Sequence, residues 1–188
     1  ADPAWAGQFS RGRDLYFASD PHLRFDLAHA HTESMLDALQ NRAWNQMYLG
    51  GRGEAAAADA RQFLGVVGWR GESSPFMVLV AHLGYRQAGL AAEAQKVLLE
   101  AEKNCDTAAW PYPVIKYLKG EISSEELLRA AADTGKKTEA HTYIGMDLLL
   151  KGMGSEAREH FAWVKEYGNN RFLEHPLAIA ELNRLGGR

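Results

Sequence analysis

The stretch TEAHTYIGMDLLLKGMGSEAREHFAWV, residues 138–164, decides the fold of this chain. Gly145, Gly152, Ala157 and Phe161 follow one another in it at offsets of seven, five and four. This spacing predicts a helix, a tight turn at Gly152 that favours a left-handed residue, and a second helix packed back on the first. Gly145 and Ala157 allow a close crossing, and Phe161 fills the space one turn further on. Such a hairpin cannot bury its own apolar face, so neighbours of the same kind are expected.

Two further turn glycines, Gly89 and Gly51, carry the same pattern. In all three places, small or apolar residues lie four positions before the glycine and five, nine and twelve positions after it. These residues are Leu148, Ala157, Phe161 and Val164 in the last repeat, Tyr85, Ala94, Leu98 and Ala101 in the second, and Met47, Ala56, Ala60 and Phe63 in the first. The glycine run at residues 50–53 leaves the first register uncertain by a residue or two. Because no strand precedes that run, we interpret it as a turn rather than a phosphate-binding loop.

Helices are also predicted between and around the hairpins. In the insert before the last hairpin, a short helix at residues 114–119 ends at Gly120. Ser123 or Ser124 caps the next helix, and Glu126 completes a capping box. No strand signal of any length competes with these helices, so nine to eleven helices are expected.

The whole chain is interpreted as a single helical domain, with irregular units at its ends as repeat proteins require. Asp20 and Pro21 form a good helix start for the amino-terminal unit, with Asp20 as the cap and Pro21 in the first turn. Apolar spacing at residues 176–185 predicts the final helix. The predicted order is an N-terminal helical cap at 1–39, two repeats at 40–105, an irregular helical insert at 106–137, the last repeat at 138–168 and a C-terminal capping helix at 169–188.

The three sets of offsets resemble the tetratricopeptide (TPR) family, in which a helix pair of 34 residues repeats with small residues at set positions. The segments QNRAW at 40–44 and ADARQFL at 58–64 are similar to variants of its two helices. The resemblance implies a right-handed α-α superhelix of helical hairpins, interrupted here by the irregular insert.

A narrower resemblance covers residues 110–185. WPYPVIKYLKGEISSEELL, EAHTYIGMDLLLKGMGSEAREHF and EHPLAIAELNRL follow one another as in the C-terminal half of the NlpI-like bacterial envelope lipoproteins and related TPR proteins. That resemblance implies an adaptor of the bacterial envelope or periplasm, which holds proteases and peptidoglycan hydrolases in helical grooves. The chain departs from the family because its one cysteine, Cys105, is internal and cannot carry an amino-terminal lipid anchor.

Composition narrows the function classes. The 188 residues have a formal charge of −3, with no basic face of the kind that binds nucleic acid. No apolar run reaches the length of a membrane span. One cysteine excludes both an intrachain disulfide and a cysteine-built zinc site. The opening ADPAWAGQF has no signal-peptide pattern, so the protein is cytoplasmic or has lost a targeting segment, and Ala1-Asp2-Pro3 is open to interpretation as a cloning remnant.

Catalytic and metal-binding patterns are weak. His22, Asp26 and His29 share one helix face and form the best candidate metal site, but polar residues on a solvated face are the favoured interpretation. Glu125, Glu126, Glu156 and Glu159 open helices, where their charge suits the helix dipole. No G-x-S-x-G, G-x-x-x-x-G-K or G-x-G-x-x-G motif occurs. We therefore expect no catalytic residue, no bound metal and no cofactor.

The candidate binding surface is the groove lined by the first helix of each hairpin. Its candidate residues are those that the packing pattern does not require: Asn41, Asn45, His82, Arg86, His141, Thr142 and Asp147. Asn41 and Asn45 lie four apart on one face, where two amides suit a peptide backbone, and His82 and Arg86 share that spacing. The aromatic residues Trp44, Trp69, Trp110, Tyr112, Tyr117 and Tyr143 supply further contacts, although about two thirds of them are expected in the core.

These observations predict a non-catalytic scaffold that binds a protein or peptide partner in the concave groove. The alternative is a metal-binding or small-ligand-binding helical protein, or an enzyme, that uses the helices bearing histidine and aspartate. A third possibility is a homodimer formed through the terminal helices.

Overall fold

The computed structural model describes the backbone of residues 21–187 and the side chains of residues 32–187. Those residues form nine α-helices and no strand, so the all-α prediction is confirmed for them. The helices are α1 (Pro21–Leu49), α2 (Gly53–Val67), α3 (Ser74–Gln87), α4 (Ala91–Asn104), α5 (Tyr112–Lys119), α6 (Ser124–Ala130), α7 (Thr134–Leu150), α8 (Gly154–Tyr167) and α9 (Glu174–Gly186).

The chain divides into two compact units, residues 1–38 and residues 39–188. Of the first unit, the structure describes the helical backbone from Pro21 onward, and the predicted Asp20 cap lies outside the described residues. The second unit begins within α1, at Leu39, and contains all the other helices.

Three hairpins in the second unit follow the predicted pattern. Gly51, Gly89 and Gly152 all have positive φ, at 68°, 75° and 79°, and each lies between the paired helices α1–α2, α3–α4 and α7–α8. The residues five, nine and twelve positions after each glycine are all buried, which confirms that the spacing marks the packed face. The residues four positions before the glycine are less uniform, because Met47 is buried whereas Tyr85 and Leu148 are partly exposed.

The α7–α8 hairpin shows why its small residues are needed. A Cβ atom added to Gly145 would lie 2.5 Å from Cε1 of Phe161, so the aromatic ring occupies the space that a side chain would need. The chain turns after α7 through backbone hydrogen bonds from Met153 N to Leu148 O (2.9 Å) and from Gly152 N to Leu149 O (3.0 Å). This is the left-handed glycine stop that the sequence predicts.

The insert also forms as predicted. Gly120 ends α5 in the left-handed conformation, with φ of 78°. Ser123 rather than Ser124 caps α6: its Oγ accepts from Glu126 N at 3.2 Å, and Glu126 Oε2 accepts from Ser123 N at 2.7 Å. The capping box is complete, and it satisfies two backbone N–H groups at the start of α6.

Helix α7 is the centre of the second unit. It packs against α3, α5, α6, α8 and α9, and its interior positions are buried on more than one side. Polar groups on α7 are therefore carried into the interior, where each needs a partner. Within residues 21–187, no helix has both the length and the apolar character that crossing a membrane requires.

Candidate functional site

The predicted groove residues do not form one surface. Asn41 and Asn45 are exposed on α1. His82 is 2% exposed, with Nδ1 3.0 Å from Ala94 O, and burial lowers its pKa. Thr142 is fully buried and donates to Thr138 O at 2.8 Å. His82 and Thr142 are thus corrected from groove residues to core residues, because neither side chain is accessible to a partner.

Arg86 and Asp147 meet each other instead of lining a groove. Asp147 is 2% exposed and accepts three hydrogen bonds: from Arg86 Nη1 at 3.3 Å, from Tyr117 Oη at 3.0 Å and from Lys151 Nζ at 2.6 Å. Burial, followed by the charge of Asp147, raises the pKa of Tyr117 and keeps its hydroxyl protonated. We call Arg86, Tyr117, Asp147 and Lys151 the Asp147 cluster. It joins α3, α5 and α7 and has two cations for one carboxylate.

His141 lies in a partly exposed aromatic cluster on the α7–α8 hairpin. Its Nδ1 is 2.9 Å from His160 Nδ1, and its ring stacks on Trp163 at 4.0 Å with 9° between the planes. Burial, with a smaller contribution from the charge of His160, lowers the pKa of His141 to about 4. Burial lowers the pKa of His160 as well, so both rings are neutral at pH 7 and one nitrogen donates to the other.

A cleft of about 270 Å³ lies where α1, α3, α7 and the start of α9 meet. Three aromatic side chains line it: Trp44, Phe76 and Phe172. Three acidic residues also line it: Glu72 at the exposed edge, and Glu139 and Glu174, which are each 3% exposed. Gln40, Ser73, Arg171 and Leu173 complete the walls. We call this the acidic cleft.

The two buried carboxyl groups of the acidic cleft have neutral hydrogen-bond donors. Trp110 Nε1 donates to Glu139 Oε2, and Tyr143 Oη donates to Glu174 Oε1 at 2.8 Å. Burial, and then repulsion from Glu174, raises the pKa of Glu139 to about 8. Burial likewise raises the pKa of Glu174. Glu139 therefore carries a proton at neutral pH.

The loop between α8 and α9 is anchored on both sides of the cleft. Asn169 N donates to Thr138 Oγ1 at 2.8 Å, which ties the loop to α7. Tyr48 Oη donates to Leu173 O at 2.8 Å, which ties it to α1. These bonds hold Arg171 and Phe172 at the edge of the cleft.

One wall of the cleft carries an unsatisfied donor. Trp44 is 2% exposed, yet its Nε1 has no hydrogen-bond partner among the side chains and backbone that the structure describes. A buried N–H without an acceptor is costly, so a ligand that brings an acceptor into this cleft would gain a hydrogen bond here.

Two larger grooves, each of about 640 Å³, lie between α8 and α9 and beside the start of α2. Their charged walls are exposed side chains such as Lys165 and Glu166 in the first and Arg52 and Glu54 in the second. Exposed charges keep their hydration and give little selectivity. The acidic cleft is the stronger candidate because it brings buried, chemically perturbed groups together.

The sequence predicts the helices of this cleft, but of its lining residues it names only Trp44 as a candidate contact. Gln40 and Trp44 directly precede Asn41 and Asn45, and Glu139 lies two positions before His141. Trp44 was available as a signal, because it is an aromatic residue on the first helix of a hairpin. Nothing in the local sequence marks Glu139 or Glu174 as buried.

The candidate metal ligands His22, Asp26 and His29 lie outside the side chains that the structure describes. Among residues 32–187, no three histidine, cysteine or acidic side chains come together as metal ligands. No protein-family model matches the chain, and no solved structure matches it. The proposed function therefore depends on the geometry of the acidic cleft.

Proposed function

We propose that this protein is a non-catalytic interaction module of TPR type that binds a segment of a protein or peptide partner in the acidic cleft. The observation that supports the proposal most strongly is the unpaired Trp44 indole N–H in a cleft lined with aromatic rings. A peptide backbone supplies carbonyl acceptors for that donor, and aromatic side chains contribute large contact area at a small entropic cost. The bacterial envelope is the proposed location, on the resemblance to the envelope lipoproteins.

The helices that form the cleft also support the proposal. Gln40 and Trp44 lie on α1, Phe76 on α3 and Glu139 on α7, and these are the first helices of the three hairpins. The first helices are the ones that line the groove in the TPR arrangement. A segment bound there would contact all three hairpins at once.

A randomised peptide-display library tests this function without assuming the charge of the ligand. Peptides selected on the wild-type protein should bind Phe76→Ser at least tenfold more weakly, because Phe76 is part of the cleft wall. The matched control is Leu99→Ser, on the second helix of its hairpin, where Leu99 is 43% exposed. Circular dichroism would establish that both variants are folded. Selected peptides that bind both variants equally well would contradict a function located in this cleft.

Glu139 favours a second candidate, a small-ligand-binding protein or an enzyme. A carboxyl with a pKa of about 8 in a cleft can donate a proton at neutral pH. Acid–base catalysis also needs an ionised partner, and burial raises the pKa of the neighbouring Glu174 as well. The pair therefore lacks the contrast between acid and base that paired catalytic carboxyls need, and the interaction module remains the better supported function.

A further inference from the structure

The charges of the acidic cleft are unbalanced. Three acidic residues line it, whereas Arg171 is the one cation among its lining residues. Arg171 is exposed, and within the described part of the chain its guanidinium has no ion pair. Among residues 32–187, neither of the two carboxyl groups at the interior end of the cleft forms a salt bridge. Such a site attracts a cation that can reach the carboxyl groups.

The walls select the kind of cation. The side chains of Trp44, Phe76 and Phe172 line the same cleft as the carboxyl groups. Aromatic faces attract cations, and they attract guanidinium more often than ammonium, because the planar group also stacks. A guanidinium can in addition donate two parallel hydrogen bonds to a carboxylate. Three rings and two carboxyl groups are therefore a better match for arginine than for lysine.

The size of the cleft limits how much of a ligand can enter. Its volume of about 270 Å³ is smaller than the ~300–1,000 Å³ that is usual for small-molecule sites. One long side chain fits such a space, with the rest of the ligand outside. The Trp44 N–H can then bond a backbone carbonyl of the same segment.

We propose that the acidic cleft binds the side chain of an arginine in the partner segment, with its guanidinium against Glu139 and Glu174. This inference rests on the proposed function, since it names the chemistry of the segment that the module holds. Arrival of the guanidinium favours the ionised form of Glu139, so binding at pH 7 releases close to one proton. The other charged and titratable groups around Glu139 are Asp133, Lys136, Tyr143 and Glu174, with Glu72 and Arg171 at the cleft edge.

The sign of the pH dependence follows from Glu139. Below the pKa of Glu139, about 8, the site must give up a proton in order to bind a cation. The affinity for the arginine segment therefore falls as the pH is lowered. Glu174 acts in the same direction, because burial raises its pKa too. Between pH 6 and pH 8 we expect the affinity to rise about tenfold or more.

Isothermal titration of the full chain tests the proposal with a blocked heptapeptide, acetyl-Gly-Gly-Ser-Arg-Ser-Gly-Gly-amide. The same peptide with citrulline in place of arginine keeps the shape but removes the charge, and it should bind at least tenfold more weakly. Repeating the titration in buffers of different ionisation enthalpy measures the protons released. Equal affinity for the two peptides, or no proton release, overturns the proposal.

Variants of the protein locate the effect. Glu139→Gln should weaken the arginine peptide at least tenfold and remove most of the proton release, and Glu174→Gln should weaken the peptide as well. Glu156→Gln, an exposed carboxylate on α8, is the matched control and should change neither quantity. A loss in Glu156→Gln equal to that in Glu139→Gln would show diffuse electrostatic attraction and overturn the assignment. The library experiment distinguishes the proposed function from the arginine proposal. If the selected peptides need Phe76 but contain no arginine, the interaction module stands and the arginine proposal fails.

Discussion

The Asp147 cluster and the acidic cleft are two solutions to the burial of carboxylates in one helical unit. Asp147 is surrounded by Arg86, Lys151 and the Tyr117 hydroxyl, so its charge is balanced by groups of the protein itself. Glu139 and Glu174 accept from the neutral donors Trp110 and Tyr143, and among the described residues neither forms a salt bridge. Lys136 acts on Glu139 only through its charge. The difference indicates two roles. The carboxylate of Asp147, balanced by cations of the protein, stabilises helix packing, whereas the protonated carboxyl of Glu139 beside a cavity can ionise when a cationic ligand arrives.

The largest expected effect of a substitution at neutral pH is on the balanced side of this comparison. Asp147→Ala removes the acceptor of three donors and leaves the partly buried Arg86 guanidinium without its ion pair. Breaking a buried pair from one side costs about 3–5 kcal/mol, so the free energy of unfolding should fall by about 3 kcal/mol in urea denaturation. Glu93→Ala, an exposed carboxylate on α4, is the control and should change the stability by less than about 0.5 kcal/mol. Equal losses in the two variants would mean that the Asp147 cluster does not stabilise the fold.

The second prediction concerns the pH dependence of stability in the acidic cleft. The pKa of Glu139 is raised from its ordinary value of 4.5 to about 8, so the folded state binds a proton that the unfolded state has lost. The contribution is therefore fully present below pH 4.5 and is lost as the pH rises through 8. We expect the wild type to lose about 5 kcal/mol across this window, since a tenfold change in proton affinity is worth about 1.4 kcal/mol.

Glu139→Gln isolates this effect, because glutamine keeps the volume of the side chain but cannot ionise. The variant should keep its stability where the wild type loses it, and it should be the more stable protein above pH 8. Thermal melts of both proteins across the window measure the difference. If the stability of the two proteins changed with pH in the same way, Glu139 would not be the group that makes the cleft differ from the Asp147 cluster.

The sequence predicts a feature well when the residues that form it lie close together along the chain, and poorly when they come from distant segments. Gly120, Gly152 and the Ser123 capping box act within a few residues, so local spacing was sufficient to predict the turns and the cap. A helix face is harder to place, because one residue of register rotates a side chain by about 100°. For this reason Asn41 and Asn45 were chosen where Gln40 and Trp44 line the cleft.

The environments of the carboxylates depend on distant segments. Glu139 is buried against Trp110 from the insert, 29 residues earlier in the chain. Its other close neighbour is Glu174 from α9, 35 residues later. Asp147 meets Arg86 across 61 residues and Tyr117 across 30 residues. No repeat pattern encodes these pairings, because the insert that supplies Trp110 and Tyr117 is outside the repeat. Asp147 and Arg86 were therefore predicted as groove residues, although they pair with each other.

Two tyrosine hydroxyls provide a smaller test of the same comparison. Tyr143 is fully buried and its hydroxyl donates to Glu174, so Tyr143→Phe removes a donor from a carboxyl group that forms no salt bridge among the described residues. Tyr117→Phe leaves Asp147 with Arg86 and Lys151 as remaining partners. We expect losses of about 2 kcal/mol for Tyr143→Phe and about 1 kcal/mol for Tyr117→Phe in urea denaturation. The reverse order would indicate that the charge-balanced cluster depends more on its hydroxyl than the cleft does.

The smallest expected effect is that of Lys151→Met. Lys151 Nζ lies 2.6 Å from Asp147 Oδ2, but the lysine side chain is 52% exposed and contacts the carboxylate from the solvent side. An exposed pair with i,i+4 spacing contributes about 0.3–0.5 kcal/mol, and salt screens it. Unfolding of Lys151→Met in low and high salt should therefore show a loss of about 0.5 kcal/mol or less that shrinks as salt is added. Arg86 and Tyr117 still bind the carboxylate of Asp147 in this variant. A loss of several kcal/mol would mean that Arg86 alone cannot compensate the charge of Asp147 and that Lys151 is needed.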